Sequence, residues 1–520
     1  MLRHRLCLRI LQSALYGGKP TAPNFTAVCL FKMTSGFAIF LFIVFAVPSY
    51  ISCEQELEAV RAARFGILQA VNWAQSLRRY HDHLDHGSRF GDIAIADCLK
   101  LYEESEPLLA WLELSSKNYS QADAVTWLSA ALASHRSCLD GLEEKGLSFD
   151  TQAAQNLTLL LHAALASVKL QGNFGRPLTH GIPRKQGTDQ YWGLLASWSP
   201  ATSKADIVVA QDGSGNFETI KEAVAALGRM GHNRPGRAVV YVKSGLYHEK
   251  VEIPRNLENV MFVGDGIDKT IVTGNQNVVD GASTLSSATF GISGNGFWAR
   301  DITFENTAGP QKMQAVALRV GSDLSVFYRC SFKGYQDTLL VHSLRQFYRD
   351  CQIHGTIDFI FGDASAVFQN CDIFVRRPMD DQSNMITAQG RDHPDQYTGI
   401  SIINCRVAPS SEFSPFTGRF NSYLGRPWKQ YSRTVFLKTD LGGLVHPRGW
   451  SEWAGNFALS TLYYGEYMNT GRGASTANRV KWPGFHPMYD PREASWFSVR
   501  NFIQGDLWLS ATGVPSSLDV

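Results

Sequence analysis

A four-residue pattern recurs through the second half of the chain: Asp301-Ile302-Thr303-Phe304, Arg329-Cys330-Ser331-Phe332, Asp350-Cys351-Gln352-Ile353, Asn370-Cys371-Asp372-Ile373 and Asn404-Cys405-Arg406-Val407. Each copy runs polar, small or aliphatic, polar, then large apolar. Alternation with period two predicts strands, and its return at intervals of about twenty residues or more predicts a solenoid of stacked coils. A parallel β-helix satisfies both, and the pattern holds over residues 204–509, a Val/Ile/Phe-rich stretch with frequent Gly and Asn for tight turns. Asp337 follows Cys330 by seven residues and Asp358 follows Cys351 by seven. Both therefore occupy one place on adjacent coils, where strands stack roughly 4.8 Å apart. A single such aspartate reads as a solvated loop residue. Two in equal register, beside Phe359, Ile360 and Phe361, predict a paired-carboxylate site.

The period changes upstream. Over residues 53–170 apolar side chains recur at three- and four-residue steps, as at Val125, Leu128, Leu132, Leu139 and Leu142, in Ala-rich stretches. This predicts a small all-α bundle. Residues 171–203, with Gly175, Pro177, Gly181, Pro183 and Gly187, read as a linker. The basic pair Arg184-Lys185 within it is a candidate cleavage site. Residues 510–520 form a C-terminal tail.

Residues 1–52 read as a targeting segment. The apolar run Gly36–Val47, preceded by Lys32 and followed by Pro48, suits a signal-peptide core better than a membrane span of about twenty residues. Export follows, with an uncleaved, membrane-anchoring signal anchor as the alternative; Met33 is an alternative start. The triplets at Asn118 and Asn156 are glycosylation acceptors consistent with export, and a third at Asn24 lies in the segment expected to be removed.

Composition narrows the function. With 44% hydrophobic and 18% charged residues and a net charge of +2, the chain is globular and has no dense basic run for nucleic acid. The weak positive balance is compatible with an acidic polymer. The histidines show no ligand spacing and the cysteines no Cys-x-x-Cys pair, so neither a metal nor another cofactor is called for. In an oxidising compartment Cys98 and Cys138, on two predicted helices, are expected to form a disulfide, with two buried thiols as the alternative. Cys351 and Cys371, equivalent on neighbouring coils, are expected to form another, leaving Cys330 and Cys405 free.

Five motifs stand in order across the third zone: Gly245-Leu246-Tyr247-His248-Glu249, Gln314-Ala315-Val316-Ala317-Leu318, Gly334-Tyr335-Gln336-Asp337-Thr338-Leu339, Asp358-Phe359-Ile360-Phe361-Gly362 and Leu424-Gly425-Arg426-Pro427-Trp428. In these the region resembles the plant pectin methylesterases. The helical zone resembles the inhibitor domain that precedes such enzymes, through Asp97-Cys98-Leu99, Thr126-Trp127-Leu128-Ser129-Ala130-Ala131-Leu132 and Cys138-Leu139-Asp140-Gly141. The resemblance implies an all-β right-handed parallel β-helix behind an all-α bundle, acting in the cell wall. It implies hydrolysis of the C6 methyl esters of pectin to methanol and an acidic polymer, with pectin as the partner and an intramolecular or intermolecular contact by the inhibitor domain.

By the same resemblance Asp358 is the nucleophile, Asp337 the acid and base, Gln314 and Gln336 the oxyanion donors, and Arg426 the cation that keeps Asp358 charged. Arg426 also joins Gln314, Thr284 and Trp428 as substrate contacts. A monomer is the default for a solenoid with covered ends. The closest alternatives are a retaining glycosidase, which also uses two carboxylates about 5 Å apart, and a pectin-binding or purely inhibitory protein. The chain departs from the family pattern at Asp363, where Asn is common, and a charge there is expected to raise the pKa of Asp337 further.

Overall fold

The computed structural model describes residues 39–83, 89–114, 119–147, 151–168 and 193–520. Asn24, Met33, the start of the apolar run at Gly36, Asn118 and Arg184-Lys185 lie outside them. Among the described residues no helix is long and apolar enough to cross a membrane. The chain divides into two units, Met1–Cys53 and Glu54–Val520, and the side-chain packing that follows is that of the second.

The expected helical bundle is built from α1 (Ile39–His83), α2 (Arg89–Leu114), α3 (Gln121–Glu144) and α4 (Thr151–Ser167). Helix α3 starts where its sequence says it should: the Ser120 hydroxyl accepts from the Asp123 amide and the Asp123 carboxylate accepts from the Ser120 amide, a capping box that satisfies two otherwise unpaired donors. Leu101, Leu109, Leu128, Leu132, Leu161 and Leu165 form its core. Cys98 and Cys138 are bonded, fastening α2 to α3 with Cα atoms 4.6 Å apart. Asn156 is exposed on α4.

The remainder is a parallel β-helix of three sheets with eleven, seven and eight strands. The recurring tetrad has a direct structural meaning. Its first residue, Asp301, Arg329, Asp350, Asn370 or Asn404, turns the coil corner in the left-handed region, with φ between 51° and 59°. Asn and Asp tolerate that conformation better than most residues, which explains the recurrent polar position. The third residue opens a strand, so that Thr303, Ser331, Gln352, Asp372 and Arg406 pair in series across the eight-stranded sheet. The fourth, Phe304, Phe332, Ile353, Ile373 or Val407, is buried inside. Stacked coils also stack rings: Phe327, Tyr348 and Phe368 follow one another at centroid distances of 4.9 and 4.4 Å, within 10° of parallel.

The second tetrad position corrects one expectation. Cys330, Cys351, Cys371 and Cys405 are all buried and free, so Cys351 and Cys371 form no disulfide. Equal register is shared by four residues and singles out no pair. Instead each thiol is accommodated locally: Cys351 donates to the carbonyls of Phe327 and Arg349, and Cys371 to those of Tyr348 and Gln369.

Helix Ile220–Met230 closes one end, burying Ile220, Ala223 and Leu227 against the first coils. On the outer face of the eleven-stranded sheet, Leu195 and Trp198 join Val239, Met261 and Phe502 in a second core. Arg300 fixes this segment by donating to the carbonyls of Leu195, Ala196 and Trp198. Residues 193–203 therefore belong to the β-helix rather than to the linker expected over 171–203. The tail packs too, since Ser517 exchanges two hydrogen bonds with the Gln369 amide. Neither large β-helix core includes a buried residue from α1 to α4.

Candidate active site

The seven-stranded sheet carries the site. In chain order its strands are β1 (Val251–Ile253), β2 (Phe290–Ile292), β3 (Leu318–Val320), β4 (Leu339–Val341), β5 (Ile360–Gly362), β6 (Asn384–Gln389) and β7 (Ser422–Gly425), each beside the next. Leu339 pairs with Ile360 and Leu340 with Phe361. Asp337 and Asp358 each precede these strands by two residues, so equal register places one carboxylate on the coil above the other. Both backbones sit in the left-handed region, Asp337 at φ 62° and Asp358 at φ 50°. Such strain persists where surrounding bonds over-determine it. Here the Asp337 amide donates to the Ile357 carbonyl at 3.0 Å, and the Thr338 hydroxyl to the carbonyls of Tyr335 and His354.

Arg426, directly after β7, reaches across to Asp358. Its Nε lies 3.0 Å from one carboxylate oxygen and its Nη2 2.6 Å from the other. The guanidinium also lies over the Trp453 ring, 4.4 Å from the centroid. Trp453 escaped the sequence reading because it lies in no motif; what marks it is its stacking on Arg426, which helps hold the fork in place.

The two carboxyls experience different fields. Burial raises the pKa of both, which are 7% and 5% exposed at Asp337 and Asp358. For Asp337 the neighbouring Asp358 charge adds to the rise, and its pKa stands well above the usual carboxylate range. For Asp358 the hydrogen bonds and charge of Arg426 oppose burial. One proton is thus held preferentially on Asp337.

The other expected residues lie on this and adjoining coils. Gln336 is next to Asp337, and its carbonyl accepts from the Ala315 amide at 3.2 Å. Gln314 precedes Ala315, so the two glutamines stand on neighbouring coils, both half-buried. Trp428 follows Arg426 by two positions and lies 6.0 Å from the Phe361 ring. Only glycine fits between Phe361 and Asp363: Gly362 has φ 125°, and a Cβ there would stand 2.1 Å from the Val341 carbonyl oxygen.

Asp363 does not add charge to the pair. Its carboxyl turns towards the 389–398 loop, accepting from Gln389 at 3.1 Å, Gln396 at 2.5 Å and Thr398 at 2.5 Å. Burial pushes its pKa up to about 8, and it is not among the groups that act on Asp337.

Helix α3 lies over the site. Glu144 accepts from the Thr284 hydroxyl at 2.9 Å and its amide at 3.2 Å. Asp140 accepts from Lys429 at 2.6 Å, Arg136 pairs with Asp392 at 2.5 Å, and Asp123 pairs with Arg345 at 2.8 Å. A cavity of about 10 Å³, lined by residues of both parts including Ser137, Asp140, His342, Trp428 and Lys429, has room for about one water.

The pectinesterase family model matches residues 206–506, which is more than half of the chain. The chain belongs to the pectinesterase family. A second family model, plant invertase/pectin methylesterase inhibitor, matches residues 47–166 of this pectinesterase. It is 52% identical to the probable pectinesterase/pectinesterase inhibitor 36 of Arabidopsis thaliana over 515 residues, covering 94% of this chain and 99% of that one. It is also 52% identical to pectinesterase 2 of Citrus sinensis over 423 residues, covering 81% and 80% of the two chains. Among solved structures it resembles the pectin methylesterase from carrot at a TM-score of 0.60 and 52% identity, covering 62% of this chain and 100% of that one. Pectinesterases are carboxylic ester hydrolases, and the β-helix and helical-bundle architecture is the one expected from sequence.

Proposed function

We propose that this pectinesterase demethylates homogalacturonan with Asp358 as nucleophile and Asp337 as acid and base. The observation that carries the assignment is the bidentate grip of Arg426 on Asp358, which favours the charged form of one carboxylate while its buried neighbour keeps a proton. Ionised Asp358 attacks the ester carbonyl carbon, and the developing oxyanion takes hydrogen bonds from the amides of Gln314 and Gln336. Collapse breaks the carbon–oxygen bond to the methoxy group, which leaves as methanol with the proton of Asp337. Asp337, now charged, takes a proton from water, whose oxygen attacks the acyl-enzyme and releases the galacturonate carboxylate. Thr284 and Trp428 flank the reacting sugar, and Arg426 contacts it as well as Asp358.

The helical domain is read as an intramolecular cover. Its α3 contacts Thr284 through Glu144 and Lys429 through Asp140, the first of these a residue that the resemblance assigns to substrate. The protein is read as exported to the wall as a monomer, with Asn156 available to glycan.

The test is methanol release from highly methylated pectin by the full chain and by Gly193–Val520, each with Asp358→Ala beside it. Release by Gly193–Val520 that is lost in Asp358→Ala, with a slower full chain, is the expected result. No release from Gly193–Val520, folded and soluble, would remove the catalytic assignment; equal rates from the two chains would remove the cover.

A further inference from the structure

Gln336 and Asp337 share one turn, and that turn is held from two directions. The first is the next coil. The Gly334 amide donates to the His354 carbonyl at 3.3 Å, the Asp337 amide to that of Ile357 at 3.0 Å, and the Thr356 amide to that of Tyr335 at 2.9 Å. The second is Arg376, one residue past the strand Asp372–Val375. That strand lies two ladder steps from Ser331–Lys333, the strand that leads into the turn. Two steps of roughly 4.8 Å each require a long side chain.

The Arg376 guanidinium makes that reach and meets the turn three times. Its Nη1 donates to the Gly334 carbonyl at 3.0 Å, its Nη2 to the Tyr335 hydroxyl at 2.6 Å, and its central carbon lies 3.8 Å from the Tyr335 ring centroid. Glu412 braces it, accepting from Nε at 2.7 Å. The Arg376 amide meanwhile donates to the Gly355 carbonyl at 2.8 Å, three residues before Asp358. One residue thus ties the turn of Asp337 to the coil that carries Asp358. A planar fork of donors fixes orientation as well as distance, which a single ammonium does not.

The tie is one of position rather than of field. The charges that act on Asp337 are those of Asp358, Arg426 and Glu144, and the charge that acts on Asp358 is that of Arg426; Arg376 is in neither set. Asp337 nevertheless depends on its surroundings, because its left-handed backbone, at φ 62°, persists only while neighbouring groups over-determine it.

We propose that Arg376 is a positioning residue for the esterase reaction, which by gripping Gly334 and Tyr335 sets the separation of Asp337 and Gln336 from Asp358. This rests on Asp337 as the acid and base. Without the grip the turn relaxes away from Asp358 and admits water, so burial and the neighbouring charge both lose their hold on the Asp337 proton. The alkaline limb of the rate profile, which reports loss of that proton, moves to lower pH. The acid limb, set by Asp358 in the fork of Arg426, stays in place.

The test measures methanol release against pH for Arg376→Met, Arg376→Lys and Tyr335→Phe, in the full chain and in Gly193–Val520, at equal folded fraction by circular dichroism. Arg376→Met is expected to lower kcat about 10²-fold, the usual consequence of a small misplacement of a reacting group, with KM held within about twofold and the alkaline limb moved down. Arg376→Lys should recover part of the loss. Tyr335→Phe keeps the Gly334 bond and the ring contact, so it reads the same tie without disturbing the fold; loss of one hydrogen bond should lower kcat about two- to tenfold, with the limb moved in the same direction. Full activity in Arg376→Met, a rise in KM in place of a fall in kcat, or a fall in kcat with an unmoved alkaline limb would each overturn the proposal. Asp337→Asn on the same samples keeps two failures apart. If it retains activity, the acid and base assignment falls and the proposal with it; if it is inactive beside an unimpaired Arg376→Met, the positioning role alone falls.

Discussion

Arg426 holds Asp358 through two nitrogens, while on Asp337, one coil away, burial and the charges of Asp358 and Glu144 outweigh the pull of Arg426. The asymmetry of the pair thus resides in a residue from a third coil. Replacing Arg426 by Met removes the charge and both hydrogen bonds, so the Asp358 pKa rises. An ionised nucleophile then requires higher pH, and the acid limb of the kcat/KM profile moves upward. Loss of one preorganised charged contact typically costs about 10² to 10³ in rate. The measurement is the pH–rate profile of Gly193–Val520 beside the Arg426→Met variant; a lower rate with an unmoved acid limb would deny Arg426 control over Asp358.

Asp363 gives a stability prediction with a definite sign. Its folded pKa, pushed up to about 8, exceeds the unfolded value of about 3.9. Between those values the folded state holds a proton that unfolding releases, so stability falls as pH rises from about 4 to about 8 and then levels. The slope contributed is at most about 1.4 kcal/mol per pH unit. Asp363→Asn removes it, and the stability of the variant relative to wild type should increase steadily across that window in denaturant titrations. Its activity profile should superimpose on wild type, because the carboxyl faces Gln389, Gln396 and Thr398 rather than Asp337.

The Asp337–Asp358 register was legible because neither coil between the two tetrads carries an insertion, so counting residues was equivalent to stacking them. The same counting failed for Cys351 and Cys371. A position repeated on four coils offers each thiol two equivalent neighbours, and pairing is then decided by side-chain geometry. Arg426 came from family resemblance rather than period, since it lies beyond a strand end. Asp140–Lys429 and Asp123–Arg345 had no signal at all: such pairs depend on how the helical bundle and the β-helix meet. Asp363 was recognised as unusual, but period two fixes only which sheet face a residue takes, not which loop will hydrogen-bond it.

The free thiols can be counted. Gly193–Val520 contains Cys330, Cys351, Cys371 and Cys405. All four should resist labelling in the folded state, where each is buried, and all four should react in denaturant without reductant. Two reactive thiols instead of four would restore a disulfide within the β-helix.

The helical domain has the one bonded pair among the described cysteines, Cys98–Cys138, separated by 40 residues. A crosslink of that span stabilises by about 3–4 kcal/mol through the unfolded chain. Cys138→Ser in the full chain should therefore lower the transition of the bundle while that of the β-helix holds its temperature. Differential scanning calorimetry reads both; a single transition that moves as one would show that the two parts unfold together.

The most buried ion pair between the parts, among the described residues, is Asp123 to Arg345, both 2% exposed, with Asp323 sharing the same guanidinium at 2.7 Å. When α3 lifts away, Arg345 keeps Asp323 while Asp123 returns to water, so the tie can open without stranding a buried charge. Asp123→Asn removes the charge from the docked side only. It retains an oxygen for the capping box, and so the helix start survives at modest cost. Breaking one partner from a buried pair costs about 3–5 kcal/mol when the other is stranded. With Asp323 still in place the loss should be smaller, about 1–2 kcal/mol, equivalent to a five- to thirtyfold larger open fraction. Methanol release by full-length Asp123→Asn should rise accordingly towards that of Gly193–Val520. The same substitution cannot affect Gly193–Val520, which lacks α3, so a rise confined to the full chain identifies the docked helix as the restraint. An unchanged full-length rate would mean that α3 leaves the site open to pectin despite its contacts with Thr284 and Lys429.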